Sequence, residues 1–228
     1  MKADNKALAN YLNIAALGID ALKLVALKPS NDEFTLRKIL EGEAELQKFL
    51  SKLDKNISVV ISVLSKKKMR DTLLSNPFSA CWEFETAAYF ISKGASVCPE
   101  PKTTRNSNTD FLVKLCGKDV FVEAHARRLK KKEEQGCGSA PISRYLKETM
   151  LEKMQQNGVP ENLPHPLILA IDGEYAAMDT IAVEAAFHQF GADVNAVSAI
   201  LLKNGGYYLI ANSHASNQLS KGQVEMIL

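Results

Sequence analysis

Residues 109–125 read TDFLVKLCGKDVFVEAH, and this stretch decides the fold. Two β-rich runs, Asp110 to Leu115 and Asp119 to Ala126, are separated by a tight turn that contains Gly117. Short runs of this kind joined through a glycine turn are typical of a β-hairpin. We therefore predict two antiparallel strands here, with Asp110 close to the far end of the second strand.

The elements around this hairpin predict an α/β fold. From residue 78 the chain alternates in the order helix, strand, strand, strand, helix, strand, which is typical of a central mixed sheet flanked by helices. A further helix and a second hairpin follow. The predicted elements outside the first hairpin are helices at 79–93, 142–156 and 176–190 and strands at 95–99, 166–171, 197–203 and 207–211.

The first third of the chain has a different pattern. Apolar residues recur at spacings of three and four and predict helices at about 5–27, 33–53 and 57–74. We therefore expect an N-terminal helical region over residues 1–76, followed by an α/β domain over residues 77–228.

Three acidic residues and a histidine form the candidate site. Glu123 and His125 share one face of their strand, because side chains alternate between faces. The hairpin brings Asp110 beside them, and Glu83 lies on the preceding helix, with Glu85 as the rival for its role. Carboxylates that converge repel one another unless a divalent cation lies between them. The pattern therefore predicts a Mg²⁺ or Mn²⁺ site.

This arrangement resembles the PD-(D/E)xK nuclease superfamily, whose core is restriction-endonuclease-like. The resemblance covers about residues 78–172 and the order of their elements. Glu83 matches the acidic residue of the first core helix, Thr109-Asp110 the PD element and Glu123-Ala124-His125 the (D/E)xK element. It implies that Asp110, Glu123 and Glu83 bind the metal and that these three residues and His125 are catalytic.

His125 stands where the family has a lysine. A histidine with an ordinary pKa of about 6.5 is mostly neutral at pH 7, so it does not replace a fixed positive charge. His125 can act as a general base, contact a phosphate or ligate Mn²⁺. Lys114 on the paired strand or Arg127 on the same face are alternative sources of the charge. The remaining alternative is a site that no longer cuts.

Basic residues near the predicted site indicate nucleic acid as the partner, with DNA and RNA both open. Residues 101–156 carry 12 basic and 7 acidic side chains, and residues 1–75 carry 13 and 9. Phosphate contacts are typically made by lysine and arginine. The predicted nucleic-acid-binding residues are Lys102, Arg105, Lys114, Arg127, Arg128 and Lys130.

Composition excludes several classes of protein. The net charge is +2, so the chain as a whole is not a polycation, and its four cysteines form no CxxC pair. We expect no membrane span, no signal peptide and a cytoplasmic location. Monomer and homodimer are both open.

The function predicted from these patterns is metal-dependent hydrolysis of phosphodiester bonds. The alternative is a catalytically inactive nuclease-like scaffold that binds nucleic acid or a protein partner. A third interpretation is a helical interaction protein in which residues 1–75 provide the binding surface. Function depends on the site and not on the fold, so the sequence leaves all three open.

Overall fold

In a computed structural model, the described residues are 11–20, 43–101, 109–125, 139–156, 163–173 and 178–228. The chain divides into two compact units, Met1–Ile91 and Ser92–Leu228, and each unit is described by itself. The domain boundary expected from the sequence, after residue 76, stays a prediction.

Four helices are described up to residue 92, and a six-stranded sheet with three helices follows. The helices are α1 (Leu12–Ala16), α2 (Glu43–Val60), α3 (Lys66–Ser75), α4 (Pro77–Ser92), α5 (Ser139–Gln156), α6 (Thr180–Phe190) and α7 (Lys221–Ile227). The strands are β1 (Ser96–Pro99), β2 (Phe111–Leu115), β3 (Lys118–His125), β4 (Leu167–Asp172), β5 (Val197–Lys203) and β6 (Tyr207–Ala211).

Helix α2 corrects the predicted boundaries in the first unit. The sequence suggested a break at residues 54–56, but α2 continues to Val60, because Leu53 and Ile57 extend one buried stripe. The chain turns only after Val60, and Ser65 then caps α3 by accepting a hydrogen bond from the Lys68 N–H.

Helix α1 is shorter than predicted. Of the helix expected over 5–27, the described residues 11–20 contain only Leu12–Ala16, and Gly18 follows with a φ of +71°. A positive φ is typical of a glycine that ends a helix. The Asp54 carboxylate of α2 caps this helix, accepting hydrogen bonds from the backbone N–H groups of Asn13 and Ile14 at 2.8 and 2.9 Å.

The sheet in the second unit confirms the predicted α/β class. Its strand order is β1-β2-β3-β4-β5-β6, and the pairs β3–β4 and β4–β5 are parallel while the other three are antiparallel. Helix α5 lies between β3 and β4 in sequence, and α6 between β4 and β5, as crossovers between parallel strands require. Both helices contribute to one core with Phe121, Leu169 and Ile200.

The predicted β2–β3 hairpin forms, but its turn is one residue shorter than the predicted connection over residues 116–118, because Lys118 already pairs with Leu115 in the sheet. Cys116 and Gly117 both have positive φ, +50° and +75°, which is the conformation of a two-residue type I′ turn. The turn fixes the register so that Phe111 pairs with Val122. One step further along the same register, Asp110 stands opposite Glu123.

Residues 221–227 form α7, although no element was predicted for the last dozen residues. Ser220 accepts a hydrogen bond from the Gln223 N–H, and the Gln223 side chain accepts one from the Ser220 N–H, which makes a capping box. No helix among the described residues has the length and apolar character that crossing a bilayer requires.

Candidate functional site: two carboxylates on the hairpin and a lysine from helix α5

Asp110 and Glu123 contact each other through backbone groups. The Asp110 N–H donates a hydrogen bond to Glu123 Oε2 at 3.3 Å. In return, Asp110 Oδ2 accepts a hydrogen bond from the Ala124 N–H at 2.8 Å. These two hydrogen bonds fix one oxygen of each carboxylate at the end of the hairpin away from its turn. The sequence-based expectation that the hairpin brings them together agrees with this geometry.

Glu123 is nearly enclosed, and a lysine from another element neutralises it. The side chain of Glu123 is 8% exposed and that of Lys153 is 15% exposed, and Lys153 Nζ lies 2.7 Å from Glu123 Oε1. A buried carboxylate is costly without a partner of opposite charge. Lys153 belongs to α5, thirty residues further along the chain, and the sequence analysis did not select it.

His125 contacts the same helix. Its Nε2 lies 3.4 Å from the hydroxyl oxygen of Tyr145, which is itself buried. Since Tyr145 meets His125 and Lys153 meets Glu123, α5 runs antiparallel to the last part of β3. One helix therefore contributes both the Tyr145 and the Lys153 contact to the C-terminal end of β3.

Two lysines of the second unit differ in their distance from the Glu123 carboxylate. Lys114, one predicted source of the motif lysine's charge, is exposed and lies 3.9 Å from Asp119, near the turn of the hairpin and away from Glu123. Lys153 instead brings an ammonium group directly to Glu123. The prediction that Lys114 replaces the lysine at this position is therefore not supported by its location, while its role in nucleic-acid binding stays a prediction.

Glu83 lies in the first unit, whereas the other three predicted site residues lie in the second. Within its own unit, Glu83 is buried and Oε1 lies 3.7 Å from Lys68 Nζ. Its rival Glu85 makes a shorter ion pair, 2.7 Å from Lys52 Nζ. The approach of either residue to the hairpin carboxylates stays a prediction.

Most of the predicted nucleic-acid contacts fall outside the described residues. Those residues are Lys102, Arg105, Arg127, Arg128 and Lys130, and the alternative charge source Arg127 is among them.

The donor groups at the hairpin fit a small divalent cation. Asp110 and Glu123 present carboxylate oxygens, the ligands that Mg²⁺ and Mn²⁺ prefer, and Mg²⁺ sites commonly use one or two carboxylates completed by water and phosphate oxygens. Across the described ranges, no group of three or more His, Cys, Asp or Glu side chains is arranged to hold a metal ion.

Comparison with known proteins adds a distant likeness. No protein-family model matches the chain, and no curated protein matches it. Among solved structures, it is similar to a chain of a complex described as a CdiA-CT/CdiI toxin and immunity complex from Burkholderia pseudomallei. The identity is 13%, the match covers 58% of this chain and 84% of that chain, and the TM-score is 0.40. A likeness of this size assigns no function.

Proposed function

We propose that the protein is a metal-dependent nuclease of the PD-(D/E)xK type that hydrolyses phosphodiester bonds in nucleic acid. The observation that carries the proposal is the pair of hydrogen bonds from the Asp110 N–H to Glu123 and from the Ala124 N–H to Asp110, with the Lys153 ammonium 2.7 Å from Glu123. Two acidic groups on one hairpin and a cation from helix α5 are the chemical groups that metal-assisted phosphodiester hydrolysis uses.

In this proposal Asp110 and Glu123 hold Mg²⁺ or Mn²⁺, and Glu83 assists from the preceding helix. A bound divalent ion would polarise a phosphoryl oxygen and lower the pKa of a water molecule. The Asp110 and Ala124 backbone N–H groups hold the two carboxylates in position before an ion binds.

Lys153 takes the place of the missing motif lysine. Its side chain is largely buried, so its positive charge is only weakly screened by water and acts strongly on a phosphate nearby. The charge also compensates Glu123 when no cation is bound. Lys153, on the helix that contacts β3, thus provides the positive charge that His125 does not provide.

His125 has the role of proton acceptor or phosphate contact. Its ring is partly exposed, and the Tyr145 hydroxyl lies within hydrogen-bonding distance of Nε2. A hydrogen bond to one ring nitrogen fixes the tautomer and orientation of the ring. Tyr145 is therefore a positioning residue for His125 in this proposal.

The test compares two isosteric changes on the same hairpin, Asp110→Asn and Asp119→Asn. The asparagine at 110 can still accept the Ala124 N–H bond, so the hairpin is kept while the negative charge is lost. Asp119 serves as the control because it lies near the turn and pairs with Lys114 and His165, each at 3.9 Å.

Cleavage of RNA, single-stranded DNA and duplex DNA is measured with Mg²⁺ or Mn²⁺, and Mn²⁺ binding is measured separately by electron paramagnetic resonance. The proposal predicts that Asp110→Asn loses both cleavage and Mn²⁺ binding, while Asp119→Asn keeps both. Cleavage that survives in Asp110→Asn would show that this site is not catalytic.

A further inference from the structure

Helix α2 presents a line of lysines on the side opposite its buried stripe. Lys48, Lys52 and Lys55 are all exposed and follow one another at spacings of four and three. At 3.6 residues per turn they fall within about 60° of one another around the helix axis. Leu53 and Ile57 lie on the opposite side and are buried. The three lysines therefore lie on one side of the helix, away from its buried stripe.

The positive charge of this face is mostly not neutralised within its own unit. Lys52 pairs with Glu85 at 2.7 Å, but Lys48 and Lys55 make no ion pair with any residue in the described ranges. Asp54, the carboxylate next to Lys55 in the sequence, is occupied in capping α1. The two outer lysines are thus available to an external anion.

A polar cleft of about 530 Å³ runs beside the lysine line. Hydroxyl and amide side chains of this kind commonly contact the phosphates and sugars of nucleic acids and fix their position without reading sequence. The cleft is lined by Tyr11, Asn13, Gln47, Ser51, Asp54, Lys55 and Ser58, and the Asp54 carboxylate among them accepts hydrogen bonds from Asn13 and Ile14.

The spacing of the lysines fits a chain of phosphates. The axial rise of an α-helix places Lys48 and Lys55 about 10.5 Å apart along α2. Since one strand of a duplex carries a phosphate about every 3.4 Å along the axis, these two lysines span about three phosphates. Helix α3 adds exposed Lys66, Lys67 and Arg70 to the basic surface of the same unit.

We propose that the lysine line of α2 and its adjoining cleft bind the phosphate backbone of a nucleic-acid strand, outside the hairpin site and independently of base sequence. The choice of a nucleic acid as the polyanion rests on the proposed function. The surface would hold a long substrate on the N-terminal helical unit, and its contribution to affinity would be electrostatic and therefore strongly dependent on salt.

The experiment compares two double variants of the full-length protein that remove the same charge. Lys48→Gln/Lys55→Gln changes the proposed surface and leaves Lys52 with Glu85. Lys118→Gln/Lys221→Gln changes two exposed lysines of the other unit. Affinity for labelled single-stranded and duplex oligonucleotides is measured by fluorescence anisotropy over a series of salt concentrations, with EDTA present to prevent cleavage. Thermal unfolding checks that both variants are folded.

For a single strand, each lost phosphate contact lowers the slope of log affinity against log salt by about 0.7, so the α2 variant should lose about 1.4. The Lys118/Lys221 variant should keep the wild-type slope. Equal changes in the two variants would overturn the proposal, because net charge alone would then explain binding. Binding of wild-type protein to anionic lipid vesicles but not to oligonucleotides would also overturn it.

The result is separable from the test of the nuclease. Asp110→Asn is expected to abolish cleavage and to keep the wild-type affinity and salt slope in EDTA. Suppose that wild-type protein cleaves no substrate, but the α2 variant still shows a smaller slope of log affinity against log salt than wild type. The nuclease proposal then fails, while the binding surface stands.

Discussion

Replacing Lys153 with methionine tests the ion pair at the centre of the candidate site. The change keeps a long side chain but removes the ammonium group 2.7 Å from Glu123 Oε1. Removing one partner of a buried pair typically costs about 3–5 kcal/mol, because a charge is left without compensation. Glu123 keeps its hydrogen bond from the Asp110 N–H, so we expect the lower end, about 3 kcal/mol.

The free energy of unfolding is measured by urea denaturation at neutral pH, with Lys147→Met as the control. Lys147 is on the same helix and lies 2.7 Å from Asp193, but Asp193 is 55% exposed. An exposed pair contributes about 0–1 kcal/mol, so the control should lose much less stability. The second check is Glu123→Gln combined with Lys153→Met, which removes both charges and should recover part of the loss.

A loss below about 1 kcal/mol in Lys153→Met, equal to that of Lys147→Met, would refute the reasoning, since it falls in the range of exposed pairs. Such a result would mean that the pair contributes no more than a surface contact and that Glu123 is accommodated in another way.

Two further substitutions and one labelling experiment test other parts of the structure. Asn212→Ala should lower the free energy of unfolding by about 2–4 kcal/mol in urea denaturation, because the buried amide of Asn212 bonds to three backbone carbonyls and one backbone N–H. Gly173→Ala should cost about 1–3 kcal/mol by the same measurement, since a Cβ there would lie 2.7 Å from a leucine side chain and 3.0 Å from two carbonyl oxygens. Burial, reinforced by nearby Glu85, raises the pKa of the Cys81 thiol, so at pH 8 iodoacetamide should label exposed Cys98 well before Cys81. Equal labelling rates in the native protein, measured by peptide mass spectrometry, would contradict that expectation.

The hairpin could be predicted from the sequence because its information is local. Alternating side chains and a glycine turn define both strands, and a two-residue turn fixes their register. Once the register is fixed, the position of Asp110 opposite Glu123 follows without any knowledge of the rest of the fold. The α/β class was predictable for a similar reason, since it depends on the order of elements and not on their contacts.

Lys153 could not be found in this way. Helical periodicity identifies which face of α5 is buried, but it does not say which strand that face covers. The contact between Lys153 and Glu123 joins residues thirty positions apart and depends on how the crossover helix packs. The motif of the family places its lysine at position 125, not on α5. The sequence signal for Lys153 was a lysine close to the apolar positions of the crossover helix.

Helix α7 shows a signal that was present but not used. Ser220 and Gln223 form the pattern S-x-x-Q, which is typical of a capping box at the start of a helix. The predicted break in α2 was wrong because its polar residues do not mark the end of a helix. Asp54, Lys55 and Asn56 are polar, yet they fall on the exposed or partly exposed side of a helix whose apolar stripe continues through Ile57.

The central claim is that Asp110 and Glu123 share a divalent ion beside Lys153. A crystal of the protein soaked in Mn²⁺ and measured for anomalous scattering tests it most directly. If the two carboxylates share the ion, an anomalous peak contacts a carboxylate oxygen of Asp110 and one of Glu123, and the peak is lost in Asp110→Asn. Mn²⁺ bound elsewhere, with Glu123 still paired to Lys153 and no density between the two carboxylates, would contradict the account.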